Sequence, residues 1–340
     1  MKKMLTAVAL SAMIATPALQ AAEEVNIYSF RQAFLIKPLL DAFTEETGIK
    51  ANVVFSKKGL LERIEHEGRN SPADILLTSD IGPLFDATEK GLLQPVKSEL
   101  LEKNIPAKYR DQQGNWYGLT SRSRIIYASK DRVDASEIKS YEDLADPKWK
   151  GRICTRSGKH TYNLSLIGSM VAEHGEADTQ QWLKGLKENL ARRPQGNDRA
   201  QVKAVKEGVC DLALGNSYYF GKMITNKKKP EQIEWAQSVN LIFPNQDDRG
   251  AHMNISGAGV TKYAPHKDAA VKLIEFLSSD KAQKLYAEVN FEFPVRNGTQ
   301  RSELITKYMG EFKEDGVSLQ KIAELRSTAA KMVDKVGFDN

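Results

Sequence analysis

Strand-like and helix-like segments alternate along most of this 340-residue chain, and the alternation limits the folds that it can adopt. Residues 25–30, 51–55 and 74–78 are short and rich in apolar and β-branched side chains, as strands are. Between the first two, residues 37–47 carry apolar side chains at helical spacing and end at Gly48. This order predicts βαβ units and a mostly parallel sheet flanked by helices.

A second alternating block occupies residues 141–243, and an extended stretch at residues 116–128 separates it from the first block. Another extended stretch, residues 250–262, returns after the second block. No long Gly/Ser-rich or Pro-rich linker is present in the sequence. We therefore expect two α/β units joined by short extended segments that act as a hinge.

The first 22 residues have the three parts of a secretory leader. Lys2 and Lys3 form the basic start, residues 4–14 are the apolar segment, and residues 15–22 are mostly small. No later apolar run approaches the roughly 18 residues that a membrane helix needs. We expect cleavage near Ala21 or Ala22 and export of the mature chain.

Basic and acidic side chains are interspersed along the chain, with 49 Lys and Arg against 44 Asp and Glu. The formal net charge of +5 is therefore not gathered in a basic patch of the kind that binds nucleic acids. The charge pattern predicts no nucleic-acid partner.

The two cysteines are Cys154 and Cys210, and export would place both in an oxidising compartment. Each lies in or beside an apolar, strand-like run, and neighbouring parallel strands can hold two cysteines at bridging distance. We predict a disulfide between them. A thiolate metal pair is the alternative, which the long spacing and the absence of a suitably spaced histidine disfavour.

The adjacent residues Tyr218 and Tyr219 follow the apolar run 211–214, at a predicted junction between a strand and a helix. At such a turn two adjacent phenols can point at one ion, whereas their directions would diverge within a regular strand. Phenolate is a hard donor with an ordinary pKa of about 10, so only a strongly charged cation would deprotonate several tyrosines together. The pair predicts a metal site with ferric iron as the candidate ion, and packing in the core is the alternative.

The common motifs of nucleophilic, nucleotide-dependent and zinc-dependent catalysis are missing from the sequence. They are Gly-x-Ser-x-Gly, Gly-x4-Gly-Lys-Ser/Thr, Gly-x-Gly-x-x-Gly and His-Glu-x-x-His. We therefore expect a protein that is not an enzyme. An exported hydrolase or transferase remains an alternative, which turnover of ester and phosphoester substrates would reveal.

Seven segments of the chain resemble one family, and the resemblance covers essentially the whole chain after the leader. The family is that of the periplasmic ferric-iron-binding proteins, the solute receptors of iron(III) ABC importers. The segments are residues 25–29 with Arg31, 118–124, 141–151, 156–163, 216–219, 254–259 and 293–295.

This resemblance implies a two-domain periplasmic-binding-protein fold of the type II-like class, in which each domain is a mixed sheet flanked by helices and two hinge strands join the domains. We assign residues 23–121 plus 247–293 to an N-terminal lobe, and residues 122–246 plus 294–340 to a C-terminal lobe. The resemblance also implies a monomer in the periplasm that delivers ferric iron to an ABC permease in the inner membrane.

The family's iron-binding tyrosines match Tyr162, Tyr218 and Tyr219 of this sequence. Some members add a His-Tyr pair just after the first strand, but here Gln32 and Ala33 stand at that point. This departure favours a three-tyrosine site that a small anion such as carbonate completes. Three phenolates would neutralise a trivalent ion and leave coordination positions open for that anion.

By resemblance, Arg122 and Gln32 would hold the anion, with Arg31 and Arg124 as supporting residues. A guanidinium fork suits a planar carbonate. Tyr28 in the first strand is a possible additional ligand, and packing within the sheet is its alternative role.

A different solute is the main alternative within the binding proteins. A receptor for thiosulfate or a phosphonate would use Arg31, Arg122 and Arg124 without needing three tyrosines. The colour that ferric iron develops with phenolates would separate the two functions.

Overall fold

The computed structural model describes residues 23–340, so the leader predicted at residues 1–22 lies outside the described part of the chain. In that part nine strands join into one sheet. The strands are β1 (Glu24–Ser29), β2 (Lys50–Phe55), β3 (Ile75–Thr78), β4 (Tyr117–Ser129), β5 (Ile153–Cys154), β6 (Leu212–Asn216), β7 (Val239–Ile242), β8 (Met253–Val260) and β9 (Phe293–Pro294).

Helices connect these strands and cover the sheet, as the alternation along the sequence predicts. Those of residues 23–340 are α1 (Ala33–Thr47), α2 (Leu60–Glu67), α3 (Ile81–Glu89), α4 (Glu99–Asn104), α5 (Thr161–Glu188), α6 (Asp198–Lys206), α7 (Tyr218–Ile224), α8 (Glu231–Gln237), α9 (Lys267–Leu277), α10 (Asp280–Asn290), α11 (Glu303–Met309), α12 (Leu319–Glu324) and α13 (Arg326–Val336).

The expectation of a mostly parallel sheet is wrong. Parallel pairing is found for β1 with β2, β1 with β3, and β5 with β6. The other pairings, which involve β4 or β8, are antiparallel. The reason is that these two long strands run between the two α/β blocks instead of following a helical crossover, which is what makes neighbouring strands parallel.

Strand β4 connects the two halves of the sheet. Its first part, from Tyr117 to Ser123, pairs with β8, and its second part, from Arg124 onward, pairs with β6 and β7. All 13 residues of β4 are buried. The extended stretches predicted at residues 116–128 and 250–262 are therefore strands β4 and β8, which lie side by side.

The longest helix, α5, consists of two helical segments that meet at Gly175. Its helical geometry is interrupted at Gly175, which has a φ of 78° and a ψ of 174°. A side chain would disfavour this backbone conformation, so glycine permits the break. Helix α1 begins at Ala33, four residues before the predicted start, and contains Pro38 in its interior.

Buried apolar side chains form three clusters on the two sides of the hinge. The first cluster packs α1 and α9 against β1 and β3 and also receives Leu319 and Ile322 of α12. The second cluster joins β4 and α5 with Met332 and Val333 of α13. The third lies between β4, β6, α6 and α7. Side chains of the C-terminal segment thus pack in both the first and the second cluster. The lobe boundaries expected from the sequence stay a prediction.

The disulfide between Cys154 and Cys210 is confirmed, with 5.9 Å between the two Cα atoms. Cys154 ends β5, and Cys210 lies two residues before β6, the strand that pairs parallel with β5. Both side chains are buried. The bond closes the part of the chain that contains Tyr162 and ends shortly before Tyr218.

None of the helices described for residues 23–340 is long and apolar enough to cross a lipid bilayer.

Replacing Cys154 and Cys210 together with alanine is expected to lower the free energy of unfolding by about 4 kcal/mol, because the bond restricts the unfolded chain. The loop it closes spans a sequence separation of 56 residues. Urea unfolding of the natively exported protein and the double variant measures the difference. An unchanged midpoint, or two titratable thiols in the exported protein, would contradict this expectation.

Candidate metal centre

The end of β6 delivers two tyrosines to one cavity. The strand is buried along its five residues, and α7 begins at Tyr218 after the single intervening residue Ser217. The rings of Tyr218 and Tyr219 stack with their centroids 4.3 Å apart. The strand-to-helix junction predicted from the sequence is confirmed, and it holds both phenols on the same side of the turn.

Tyr162 reaches the same place from the first turn of α5. Its hydroxyl oxygen lies 3.4 Å from that of Tyr218. The backbone N–H of Tyr162 donates to Nδ1 of His160 at 3.2 Å, and the two rings meet edge to face at 4.6 Å. His160 thus caps the helix and supports the Tyr162 ring.

The three phenols border a cavity of about 150 Å³. Within residues 23–340, no group of three or more His, Cys, Asp or Glu side chains could hold a metal ion. The tyrosine hydroxyls are therefore the cluster of oxygen donors to consider. The cavity is lined by Phe30, Arg31, Gln32, Phe34, Leu35, Ser79, Tyr162, Arg199, Tyr218, Tyr219 and Lys222.

Burial keeps Tyr218 and Tyr219 protonated when no cation is bound. It raises the pKa of Tyr218 well above its ordinary value, and the neighbouring Tyr162 and Tyr219 raise it further. The pKa of Tyr219 is also raised, mainly by burial and then by Tyr162. A ligand that needs phenolates must therefore supply enough positive charge to displace their protons.

Four guanidinium groups surround the tyrosine rings. The Cζ atoms of Arg122, Arg124 and Arg156 lie 5.6, 5.9 and 5.2 Å from the centroid of the Tyr162 ring. Arg199 lies 5.8 Å from the centroid of the Tyr219 ring. The positive charge of Arg156 lowers the pKa of Tyr219, although burial outweighs it and the pKa stays raised.

Arg124 is hydrogen-bonded to three protein side chains near Tyr162. Its Nη1 donates to Asp198 at 3.0 Å and to the side chain of Asn216 at 2.9 Å, and its Nε donates to Asn163 at 2.9 Å. Arg124 does not line the cavity. Its buried Nη2 has no hydrogen-bond partner among residues 23–340, and its anion-supporting role stays a prediction.

Asp198 is completely buried and binds two arginines at once. Besides Arg124, it accepts from Nη1 of Arg156 at 3.1 Å and from the backbone N–H of Asn216 at 2.9 Å. Burial raises the pKa of this carboxyl, but the two guanidiniums outweigh burial and hold the pKa below its usual value. The ionised carboxylate keeps both guanidiniums beside Tyr162.

The other predicted anion residues lie at or next to the cavity. Arg31 and Gln32 line it, just before α1. Arg122 donates through Nη2 to the carbonyl of the lining residue Ser79, and through Nη1 to Ser256 at 3.4 Å. The Nε atoms of Arg31 and Arg122 are buried and have no hydrogen-bond partner among residues 23–340. The described part of the chain thus offers no acceptor to either of these two donors.

Tyr28 is directed elsewhere. Its hydroxyl donates to the carboxylate of Glu67 on α2, at 2.8 and 3.0 Å, and the Arg63 guanidinium lies 4.6 Å from its ring centroid. Burial and the contact with Glu67 raise the pKa of Tyr28 to about 12. Tyr28 does not line the cavity, and this geometry offers no support for its being an additional ligand.

Among the charged residues of this region that were not anticipated from the sequence are Asp198, Arg199, Lys222 and Glu292. Lys222 could have been anticipated from the sequence, because it follows Tyr218 by four residues and so lies on the same face of α7. Its Nζ donates to the Val289 carbonyl at 2.6 Å, and burial lowers its pKa to about 8. The other three are brought to the site by folding from distant parts of the chain.

Comparison with known proteins identifies the family. The family model for bacterial extracellular solute-binding proteins matches residues 70–309. The chain belongs to this family. Iron uptake protein A1 of Synechocystis is 46% identical to this solute-binding protein over 317 residues, which are 93% of this chain and 88% of the relative.

Two solved structures are similar over nearly the whole chain. Apo ferric ion-binding protein A of Pasteurella haemolytica has a TM-score of 0.89 and 49% identity, covering 94% of this chain and 99% of that chain. The Trichodesmium protein solved with iron and citrate ligands has a TM-score of 0.87 and 44% identity, covering 93% and 99%. This likeness confirms the predicted two-domain α/β fold.

Replacing Asp198 with asparagine is expected to lower the free energy of unfolding at pH 7 by about 3–5 kcal/mol, because two buried guanidiniums lose their counter-charge. The carboxyl has a lower pKa in the folded state than its ordinary value of 3.8. Its stabilisation is therefore complete above pH 3.8 and is lost as the pH falls through the folded-state pKa.

Urea unfolding between pH 7 and pH 3 measures this difference, with Asp41→Asn as the control because Asp41 forms an exposed pair with Lys37. The gap between the Asp198→Asn variant and the unsubstituted protein should narrow at the acid end. Equal stability of the two proteins at pH 7 would show that Asp198 does not hold this network together.

Proposed function

We propose that this solute-binding protein is a periplasmic receptor for ferric iron, which it binds through the phenolates of Tyr162, Tyr218 and Tyr219. The observation that carries the proposal is the convergence of three tyrosine rings on one small cavity. The names of the Synechocystis and Pasteurella relatives, which refer to iron uptake and ferric-ion binding, support it.

The chemistry of the donors selects a highly charged, hard cation. Because the pKa values of Tyr218 and Tyr219 are raised, their protons leave only when a strong positive charge replaces them. Three phenolates then balance the charge of a ferric ion. A divalent ion would leave the buried cluster with an excess of negative charge, which is costly in a partly buried site.

An anion, with carbonate as the first candidate, would complete the coordination shell. Arg122, Arg31 and Gln32 are its proposed holders, supported by the unpartnered Nε donors of the two arginines. Arg124 stays a candidate supporting residue: its Nε and Nη1 bind protein groups, but its buried Nη2 has no hydrogen-bond partner among residues 23–340. The Trichodesmium relative was solved with citrate as well as iron, which supports an anion at such a site.

The receptor performs no chemistry on its cargo. The tyrosines belong to α5 and α7, and α7 follows β6, which pairs with the second part of β4. Arg31 and Gln32 follow β1, on the other side of the hinge. Closing the hinge would bring the anion residues toward iron that the tyrosines already hold, as other binding proteins close on their ligands. We propose that the protein acts as a monomer and presents the iron to an ABC permease of the inner membrane.

Ferric loading is expected to produce a visible charge-transfer band, because phenolate oxygens donate into partly filled metal orbitals. Tyr218→Phe and Tyr219→Phe should each weaken or shift the band and reduce iron affinity at least tenfold, since only the donor oxygen is lost. Absorption during ferric titration in bicarbonate buffer measures both effects.

Tyr263→Phe is the matched control, because this tyrosine is 38% exposed and does not line the cavity. It should leave the band unchanged. Ferric-loaded protein without colour would refute the tyrosinate site. Calorimetric binding of thiosulfate or a phosphonate by the same protein, with no response to iron, would favour the alternative receptor.

Iron binding is expected to depend on bicarbonate or another small carboxylate, and Arg122→Ala should raise the bicarbonate concentration required for half-maximal colour. Arg122→Lys should restore only part of the loss, because an ammonium cannot make a two-pronged contact. Titration of bicarbonate into ferric-loaded, anion-depleted protein measures this concentration. Equal colour and affinity without any added anion would show that protein groups or water complete the shell.

A further inference from the structure

A buried carboxylate binds Arg31, which lines the cavity, and lies near Arg122, which contacts the lining residue Ser79. Glu292 precedes β9 and is 2% exposed. Its two oxygens accept from Nη2 of Arg31 at 2.6 and 2.8 Å. Thr120 donates to one of these oxygens at 3.0 Å and Ser256 to the other at 3.2 Å. No other described carboxylate forms an ion pair with Arg31.

Ser256 extends this contact to the second arginine. Nη2 of Arg31 donates to the Ser256 hydroxyl, and Nη1 of Arg122 approaches the same oxygen at 3.4 Å. One carboxylate and one hydroxyl therefore connect Arg31, which follows β1, with Arg122 of β4. The negative charge of Glu292 therefore interacts with both guanidiniums.

Glu292 remains ionised in this position. Burial raises the pKa of its carboxyl, but Arg31 and then Arg122 outweigh burial and hold the pKa below its ordinary value. The group formed by Arg31, Arg122 and Glu292 therefore carries one net positive charge, where the two arginines alone would carry two.

Resting on the proposed function, we infer that Glu292 sets the charge selectivity of the anion site: by neutralising one of its two arginines, it lowers the preference of the site for divalent over monovalent carboxylates. Glu292 is a positioning residue that acts on the anion through Arg31 and Arg122. The selectivity follows from charge, because a buried negative charge repels an anion in proportion to the charge of that anion.

The test compares formate with oxalate, which are both planar carboxylates but carry one and two negative charges. Ferric-loaded protein depleted of other anions is titrated with each, and the half-saturating concentrations are read from the charge-transfer band. Glu292→Gln should lower the value for oxalate about tenfold more than the value for formate. Glu292→Asp keeps the charge and should keep the unsubstituted ratio of the two values.

The double variant Arg31→Gln with Glu292→Gln separates charge from contact. It removes one positive and one negative charge, so its ratio should return to that of the unsubstituted protein, although both anions bind more weakly. If Glu292→Gln shows no cooperative urea unfolding, that variant is not folded and cannot be used. The double variant is then compared with Arg31→Gln, because these two proteins differ only in the charge at position 292. The double variant should then favour oxalate about tenfold more.

The outcomes distinguish this inference from the proposed function. Equal shifts for formate and oxalate in Glu292→Gln, or equal ratios in Arg31→Gln and the double variant, would mean that Glu292 only holds the arginines in place. A band that forms fully without any anion would overturn this inference and leave ferric binding standing. No band with either anion in the unsubstituted protein would overturn the ferric-iron proposal itself.

Discussion

The structure depends on β4, a strand that is buried along its full length and yet carries two arginines. Arg122 and Arg124 are two residues apart and so lie on the same face of the strand, and both side chains are buried. A buried guanidinium without a partner is very costly, so the surrounding chain must supply acceptors. Asp198, Asn163 and Asn216 serve Arg124. The Ser79 carbonyl and Ser256 serve Arg122.

The two arginines take their acceptors from different parts of the chain. The partners of Arg124 come from α5, α6 and β6, which are the elements that carry or precede the tyrosines. The partners of Arg122 come from the loop after β3 and from β8. One strand therefore connects the three tyrosines to the residues of the proposed anion site, through buried ion pairs and hydrogen bonds that salt screens little.

A second connection runs through the segment before β9. Phe291 has a φ of 60° and closes α10 in the left-handed conformation. Its ring packs on Gly221 of α7 so closely that a Cβ at Gly221 would lie 2.3 Å from it. The next residue is Glu292, which binds Arg31. The helix that begins at the two tyrosines is thus packed directly against the segment that sets the charge of the arginine pair.

The sequence by itself determined the alternating α/β pattern, the extended stretches that became β4 and β8, the disulfide and the strand-to-helix junction at Tyr218. These depend on local spacing and on residue type, which a single sequence displays. It could not determine that the sheet is largely antiparallel, that Arg124 faces Asp198, or that Tyr28 binds Glu67. Only the tertiary structure decided these points, because the partners of a buried charge are chosen by which distant segments the fold brings within hydrogen-bonding distance.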